Sequence, residues 1–128
     1  MIILDTSALV DYFKGVEKTR EFMDNDVTTT VITYYEILSG GVKHRKARKE
    51  EQFFRRFFSE IDILDFNLKA AEEASSIMGR LLSIGTPVNS VDVLITGIAV
   101  INGAEKIVSR DINFISIGKV SDLEVLVY

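Results

Sequence analysis

The sequence predicts an α/β fold with three layers, α/β/α, in which helices cover both faces of a central, mostly parallel sheet of four to five strands. Short runs of aliphatic and β-branched residues alternate with longer segments of helical periodicity along the chain. The opening run Ile2–Leu4 is apolar without polar alternation, which is typical of a strand buried on both faces. Strands separated by helices favour a single parallel sheet with right-handed crossovers.

Length and composition narrow the class of protein. At 128 residues we expect a single domain over residues 1–128. The chain has no cysteine, so a metal would be held by oxygen ligands or by His44, the only histidine. No uninterrupted run of about 18 apolar residues is present, and we expect a soluble, cytoplasmic protein without a membrane segment. The net charge of −4 argues against a protein that coats nucleic acid by bulk charge.

The first strand turns directly into a helix. Asp5 follows the strand, and Thr6 or Ser7 is the N-cap expected for a helix whose apolar residues recur at helical spacing. The segment Val16–Asp26 predicts a second helix. The β-branched run Val27–Ile32 predicts the second strand.

A third helix is expected to begin at Thr33, because Thr33 and Glu36 have the spacing of a capping box. Two glycines, Gly40–Gly41, are expected to end it. The segment Val42–Ser59 has strong helical propensity, and Ile61–Leu64 predicts a short third strand.

The second half of the chain predicts two more helices and two more strands. Asn67–Ile84 reads as a long helix, and Asn89 or Ser90 caps the next one, which Asn102–Gly103 ends. The last two strands are predicted at Glu105–Ser109 and Leu123–Val127.

Four carboxylates recur at strand ends or helix starts: Asp5, Glu36, Asp92 and Asp111. In a parallel sheet these positions converge on one edge, where ligands bind. Two like charges at ~4 Å repel by about 4 kcal/mol at an effective dielectric constant near 20, so the cluster requires compensation. A divalent cation is the obvious compensator, and oxygen-only ligands suit Mg²⁺ or Mn²⁺.

Each acid also has a purely structural interpretation. Asp5 could cap a helix, Glu36 could belong to a capping box, and Asp92 could favour the positive end of its helix. Asp111 could simply begin a turn. A shared site is favoured because the structural interpretation requires four independent coincidences of position.

These segments together resemble the PIN domain, specifically the small VapC-type toxin ribonucleases of toxin-antitoxin pairs. The resemblance covers nearly the whole chain. The matching segments are Ile-Leu-Asp5-Thr-Ser7-Ala-Leu-Val, Thr33-x-x-Glu36-Ile37-Leu38-x-Gly40, Val91-Asp92-Val-Leu-Ile95 with Ala99, and Val108-Ser109-Arg-Asp111-x-Asn113-Phe114.

The resemblance implies a metal-dependent endoribonuclease with a PIN-like fold that uses Mg²⁺ or Mn²⁺ and is neutralised by a small antitoxin. It further implies that Asp5, Glu36, Asp92 and Asp111 are the catalytic, metal-binding acids. Supporting roles fall to Thr6, Ser7, Ser109 and Asn113. Asn113 stands where many relatives have a further Asp, and this departure leaves the binding of a second metal open.

Two other features have open interpretations. The basic residues Lys43, Arg45, Lys46, Arg48 and Lys49 form either a solvated helix face or contacts to RNA phosphates. His44, within this run, is a solvated or phosphate-contacting residue or a general base. The aromatic set Phe53, Phe54, Phe57 and Phe58 belongs either to the core or to the interfaces of a homodimer and an antitoxin complex.

Three rival functions are less well supported. A phosphatase with its Asp after the first strand requires a second Asp two residues later, where this chain has Ser7. A receiver domain requires a phosphorylatable Asp after the third strand and a later lysine, and Asp65 supplies only the first of these. A catalytically inactive PIN-like binding module would be favoured if acids were missing, and four are present.

Overall fold

The computed structural model describes residues 1–43 and 47–128, and within these ranges the side chains outside positions 41–50. It contains a five-stranded, all-parallel sheet with the strand order β3-β2-β1-β4-β5. The strands are β1 (Ile2–Leu4), β2 (Val27–Thr30), β3 (Ile63–Leu64), β4 (Lys106–Ser109) and β5 (Glu124–Val127). The predicted fold class, an α/β fold with helices on both faces of the sheet, is confirmed.

Seven α-helices connect the strands in the described ranges. They are α1 (Thr6–Phe13), α2 (Glu17–Arg20), α3 (Val31–Lys43), α4 (Ala47–Phe58), α5 (Leu68–Ser83), α6 (Ser90–Ile101) and α7 (Phe114–Val120). A 3₁₀ turn at Glu21–Asp24 follows α2. None of the helices in residues 1–43 and 47–128 combines the length and the apolar character that a membrane span requires.

Adjacent residues of β1 enter different cores, which explains why the strand lacks polar alternation. Ile2 and Leu4 pack in one apolar cluster together with residues of α1, α3 and α4. Ile3 packs in the other cluster, with residues of α5, α6 and α7. The strand is therefore buried on both faces, as its sequence predicts.

Helices α5 and α6 pack in direct backbone contact at Gly97. A Cβ atom built on Gly97 would lie 2.6 Å from the carbonyl oxygen of Ala70 and 2.9 Å from the Cβ of Ala74. Only glycine fits this position without movement of the neighbouring backbone.

Helix α3 differs from the prediction at both ends. It begins at Val31, and the hydroxyl of Thr30 accepts a hydrogen bond from the backbone N–H of Thr33 at 3.2 Å. The predicted capping box of Thr33 and Glu36 is therefore wrong, because Glu36 lies beyond the first turn. The helix also continues through Gly40 to Lys43, since a glycine costs only about 1 kcal/mol in a helix interior and does not by itself end one.

Two further element predictions are corrected. The predicted helix over Val16–Asp26 is broken into the short α2 and the 3₁₀ turn. Helix α7 was not predicted, because its sequence Phe-Ile-Ser-Ile-Gly-Lys-Val combines β-branched residues with glycine. It is held by tertiary packing, since Phe114 and Ile117 are fully buried.

The aromatic set of α4 divides between core and surface. Phe58 is buried, Phe54 and Phe57 are half-buried, and Phe53 is 49% exposed. The ring of Phe13 in α1 contacts all four, with centroid distances from 4.9 to 6.4 Å. The set is therefore mainly the packing surface of α4 on α1, with Phe53 left at its edge.

Candidate functional site

The chain reverses its direction of travel across the sheet at β1. Strand β2 lies on one side of β1 and β4 on the other, so the carboxyl end of β1 is a topological switch point. Crevices at such points are the usual ligand sites of open parallel sheets. Asp5 follows β1 and Asp111 follows β4, which places both acids at this point.

Asp5 is buried and hydrogen-bonded through both carboxylate oxygens. Its Oδ1 accepts from the backbone N–H of Ala8 and from the hydroxyl of Ser7, both at 2.8 Å. Its Oδ2 accepts from the hydroxyl of Ser109 at 2.6 Å. Asp5 caps α1, so the expected N-cap at Thr6 or Ser7 is wrong, and the cap also fixes the orientation of the carboxylate toward β4.

Burial raises the pKa of Asp5 above its ordinary value, although the hydrogen bonds from Ser109, Ala8 and Ser7 act in the opposite direction. The nearby charge of Asp111 raises it further. Its three hydrogen-bond donors therefore do not fully offset the cost of burying the Asp5 carboxylate.

Ser7 and Ser109 connect Asp5 to the loop after β4. Besides donating to Asp5, the oxygen of Ser7 accepts from the backbone N–H of Arg110, and the oxygen of Ser109 accepts from that of Asp111, each at 2.9 Å. The two hydroxyl oxygens lie 3.3 Å apart. Both serines therefore join the Asp5 carboxylate to the backbone of the loop after β4.

Thr6 orients Glu36 rather than Asp5. The hydroxyl of Thr6 donates to Oε1 of Glu36 at 2.6 Å and lies 3.2 Å from the hydroxyl of Thr33. Glu36 is thereby held toward the start of α1, although α3 places it later in its helix than the sequence predicts.

Asp92 lies in the first turn of α6, behind the N-cap Asn89, as predicted. Burial, together with the charges of Asp5, Asp111 and Glu36, raises its pKa to about 7. Among the described residues no group donates a hydrogen bond to the Asp92 carboxylate. Asp92 thus combines the cost of burial with the repulsion of the other three acids.

Asp111 begins the turn that leads into α7. Its Oδ1 accepts from the backbone N–H of Asn113 at 2.9 Å, while its own N–H is held by Ser109. The side chain of Asn113 makes no capping hydrogen bond to α7. Asn113 thus supports Asp111 through its backbone, which its residue type did not indicate.

The four acids lie within electrostatic range of one another and provide only hard oxygen donors, which fits Mg²⁺ or Mn²⁺. In the described part of the chain, no three carboxylate or imidazole groups are close enough to ligate one ion. The four acids therefore do not stand at ligand distances around one point, and a bound cation would compensate the repulsion between them.

Sequence analysis missed a second buried carboxylate, Asp11 in α1. Its two oxygens accept hydrogen bonds from Arg110 and Tyr128, at 2.6 and 2.7 Å. Burial and the bond to Asp11 raise the pKa of Tyr128, so its hydroxyl remains a donor. An acid among the apolar residues of a helix was the only signal, and its partners are 99 and 117 residues away.

The basic run predicted to contact RNA lies outside the described side chains. This applies to Lys43, Arg45, Lys46, Arg48 and Lys49, and also to His44. Their roles stay predictions.

A family model of the PIN domain matches residues 2–120. The chain therefore belongs to the PIN domain family of nucleases. A stretch of 42 residues is 43% identical to an uncharacterised protein of Archaeoglobus fulgidus, covering 31% of this chain and 79% of that one.

Solved structures with a similar fold include VapC toxins and VapBC complexes. The fold is similar to that of VapBC2 from Rickettsia felis, solved bound to a DNA fragment from its promoter, with a TM-score of 0.87 and 21% identity over 100% of this chain and 99% of that one. It is also similar to Mycobacterium tuberculosis VapC20, a sarcin-ricin loop cleaving toxin, with a TM-score of 0.72 and 13% identity over 92% and 95% of the two chains.

Proposed function

We propose that this chain is a Mg²⁺- or Mn²⁺-dependent endoribonuclease and the toxin of a toxin-antitoxin pair. The observation that carries the proposal is the set of four acids around the carboxyl end of β1, where burial and the charges of the other three acids raise the pKa of Asp92. Membership of the PIN domain family supports the same conclusion. The M. tuberculosis relative, a toxin that cleaves the sarcin-ricin loop, supports RNA as the substrate.

Asp5, Glu36, Asp92 and Asp111 would hold the ion. When bound, a divalent cation supplies charge to the scissile phosphate and lowers the pKa of a coordinated water. The protein's contribution is orientation. Ser7 and Ser109 hold Asp5, and Thr6 holds Glu36.

The proposed partners are a small antitoxin and a second copy of this chain. The R. felis relative was solved as a toxin-antitoxin assembly on DNA, which supports the antitoxin. Large apolar side chains exposed on this chain, among them Tyr35, Phe53 and Leu68, support association with protein partners. Light scattering of the purified chain tests self-association, for which we expect a dimer at tens of micromolar, whereas a monomer contradicts it.

The rival functions fit the site less well. Ser7, where a phosphatase would have its second Asp, is committed to Asp5 and Arg110 by hydrogen bonds. A receiver domain would use Asp65 after β3, at the edge of the sheet away from the four acids. An inactive binding module would have no use for four mutually repelling carboxylates.

Cleavage of a structured RNA by the purified chain tests the proposal. We expect cleavage of a sarcin-ricin loop hairpin or of total RNA in Mn²⁺ or Mg²⁺ and none in chelator. Asp92→Asn and Asp111→Asn should abolish it, and Asp122→Asn, which changes an exposed acid before β5, should not. Cleavage that persists in chelator, or absence of cleavage with every divalent ion and RNA, contradicts the proposal.

A further inference from the structure

A buried carboxylate outside the four-acid site connects three elements of the fold. Asp11 is 3% exposed and lies in α1, six residues after Asp5. Its Oδ1 accepts from Nη1 of Arg110 at 2.6 Å, and its Oδ2 accepts from the hydroxyl of Tyr128 at 2.7 Å. These bonds join α1 to the loop after β4 and to the residue that follows β5.

Arg110 is attached to α1 at two points. Its backbone N–H donates to the hydroxyl of Ser7, and its guanidinium donates to Asp11, four residues further along the same face of the helix. Arg110 stands between Ser109, which donates to Asp5, and Asp111. Two attachments one helical turn apart prevent the loop from sliding along α1 or rotating about it.

The ion pair of Asp11 and Arg110 differs from an ordinary surface salt bridge, because the carboxylate of Asp11 is buried. Burial of a carboxylate is unfavourable unless it is paired and hydrogen-bonded, and both oxygens of Asp11 are satisfied by long-range partners. Arg110 itself is 56% exposed, so its charge is hydrated while its Nη1 is fixed. The guanidinium group of arginine suits a fixed contact with a carboxylate, because its N–H donors have a rigid geometry.

We propose that Asp11 and Arg110 are positioning residues that set the distance between Asp5 and Asp111 by clamping the loop after β4 onto α1. This inference rests on the proposed function, in which both acids hold a divalent ion. Asp11 and Arg110 would not themselves hold the ion, but would orient the loop that carries Asp111 relative to Asp5.

The test is calorimetric titration of the full chain with Mn²⁺. The double variant Asp11→Asn with Arg110→Met removes one negative and one positive charge, so a change in affinity reports geometry rather than net charge. Loss of outer-shell partners commonly weakens metal binding by about 10- to 100-fold, and we expect at least about tenfold here. RNA cleavage at saturating Mn²⁺ should show a lower kcat with a nearly unchanged KM.

The single variant Arg110→Met tests whether loss of the arginine strengthens or weakens Mn²⁺ binding. If Arg110 acted only through its charge, its removal would tighten Mn²⁺ binding, because a cation near the site repels the ion. If Arg110 contacted the substrate phosphate, KM for RNA would rise while Mn²⁺ affinity stayed the same. Either result overturns the positioning role, and weaker Mn²⁺ binding that Arg110→Lys restores in part supports it.

Arg55→Met is the matched control, because Arg55 is 58% exposed and pairs with Glu51 at 2.8 Å, far from the loop after β4 in the sequence. It should leave Mn²⁺ affinity unchanged. Circular dichroism checks that each variant folds, and the double variant serves if Arg110→Met alone, which leaves Asp11 without its cation, does not fold.

Hydrogen exchange of the metal-free chain separates this inference from the proposed function. The clamp predicts faster exchange in the double variant at the N–H groups of Arg110, Asp111 and Asn113, with the core of β1 unchanged. If the wild type binds no Mn²⁺, the proposed function fails, and exchange still decides whether the clamp exists. Unchanged exchange at these three amides refutes the clamp.

Discussion

The hydroxyl oxygens of Ser7 and Ser109 lie 3.3 Å apart, and each donates its proton to a different oxygen of Asp5. The two serines are 102 residues apart in the chain and approach across the switch point between β1 and β4. Each also accepts one backbone N–H from the loop that carries Asp111. The pair therefore positions one acid directly and the other through the backbone.

Replacement of Ser109 with Ala should destabilise the protein. Ser109 is fully buried, and its loss leaves Oδ2 of Asp5 and the N–H of Asp111 without partners. Leaving buried polar groups unpaired costs about 1–3 kcal/mol, and we expect a decrease of that size in the free energy of unfolding, measured by urea titration. Ser83→Ala is the control, because Ser83 is exposed and its hydroxyl donates to the carbonyl oxygen of Gly79 in its own helix. Equal effects of the two variants would contradict this role of Ser109.

Gly97→Ala should destabilise the packing of α5 on α6. The added methyl group would meet backbone atoms of Ala70 and Ala74, and overpacking of this kind costs about 1–3 kcal/mol. Gly79→Ala in α5 is the matched control, since no atom of the described residues packs within 4 Å of its Cβ position and alanine favours a helix. Thermal unfolding should show a lower Tm for the first variant and an equal or higher Tm for the second. A neutral Gly97→Ala would mean that the two helices can separate without cost.

The stability of the metal-free protein should fall as the pH rises from about 4 to about 7. The pKa of Asp92 is raised to about 7 in the folded state from the ordinary 3.8, so in this range the folded chain retains a proton that the unfolded chain loses. Folding then binds protons, and raising the pH favours unfolding. Burial raises the pKa of Asp5 in the same direction. Urea unfolding in chelator across this range measures the effect, and stability that increases steadily with pH would contradict it.

Much of the fold could be predicted because its signals are local. Several elements are indicated by residues at their own ends or within them. These are the buried run Ile2–Leu4 of β1, the N-cap Asn67 of α5, and the glycines Gly85 and Gly103 after α5 and α6, which have positive φ. The positions of Asp5 after β1, Asp92 in the first turn of α6 and Asp111 after β4 follow from the same local signals, while their role as one site stays a prediction.

The rest depended on contacts that no local pattern encodes. Helix α7 is stabilised by the burial of Phe114 and Ile117 rather than by propensity. Glu36 lies one helical turn later in α3 than predicted, because Thr30 rather than Thr33 caps the helix. Its hydrogen-bond partner is Thr6, 30 residues away in the chain. The link between Asp11 and Arg110 spans 99 residues and could not be paired from sequence alone.

If the four acids form one cation site, Asp92 allows the most direct test, because its carboxylate is partly buried beside the charges of the other three acids. We would measure urea unfolding of the wild type and of Asp92→Asn at pH 8, in chelator and in excess Mn²⁺. Removal of like-charge repulsion should make Asp92→Asn more stable than the wild type in chelator. Mn²⁺ should stabilise the wild type by about 2.7 kcal/mol at 100 times its dissociation constant, and Asp92→Asn far less. An Asp92→Asn variant that is less stable in chelator and responds fully to Mn²⁺ would contradict the shared site.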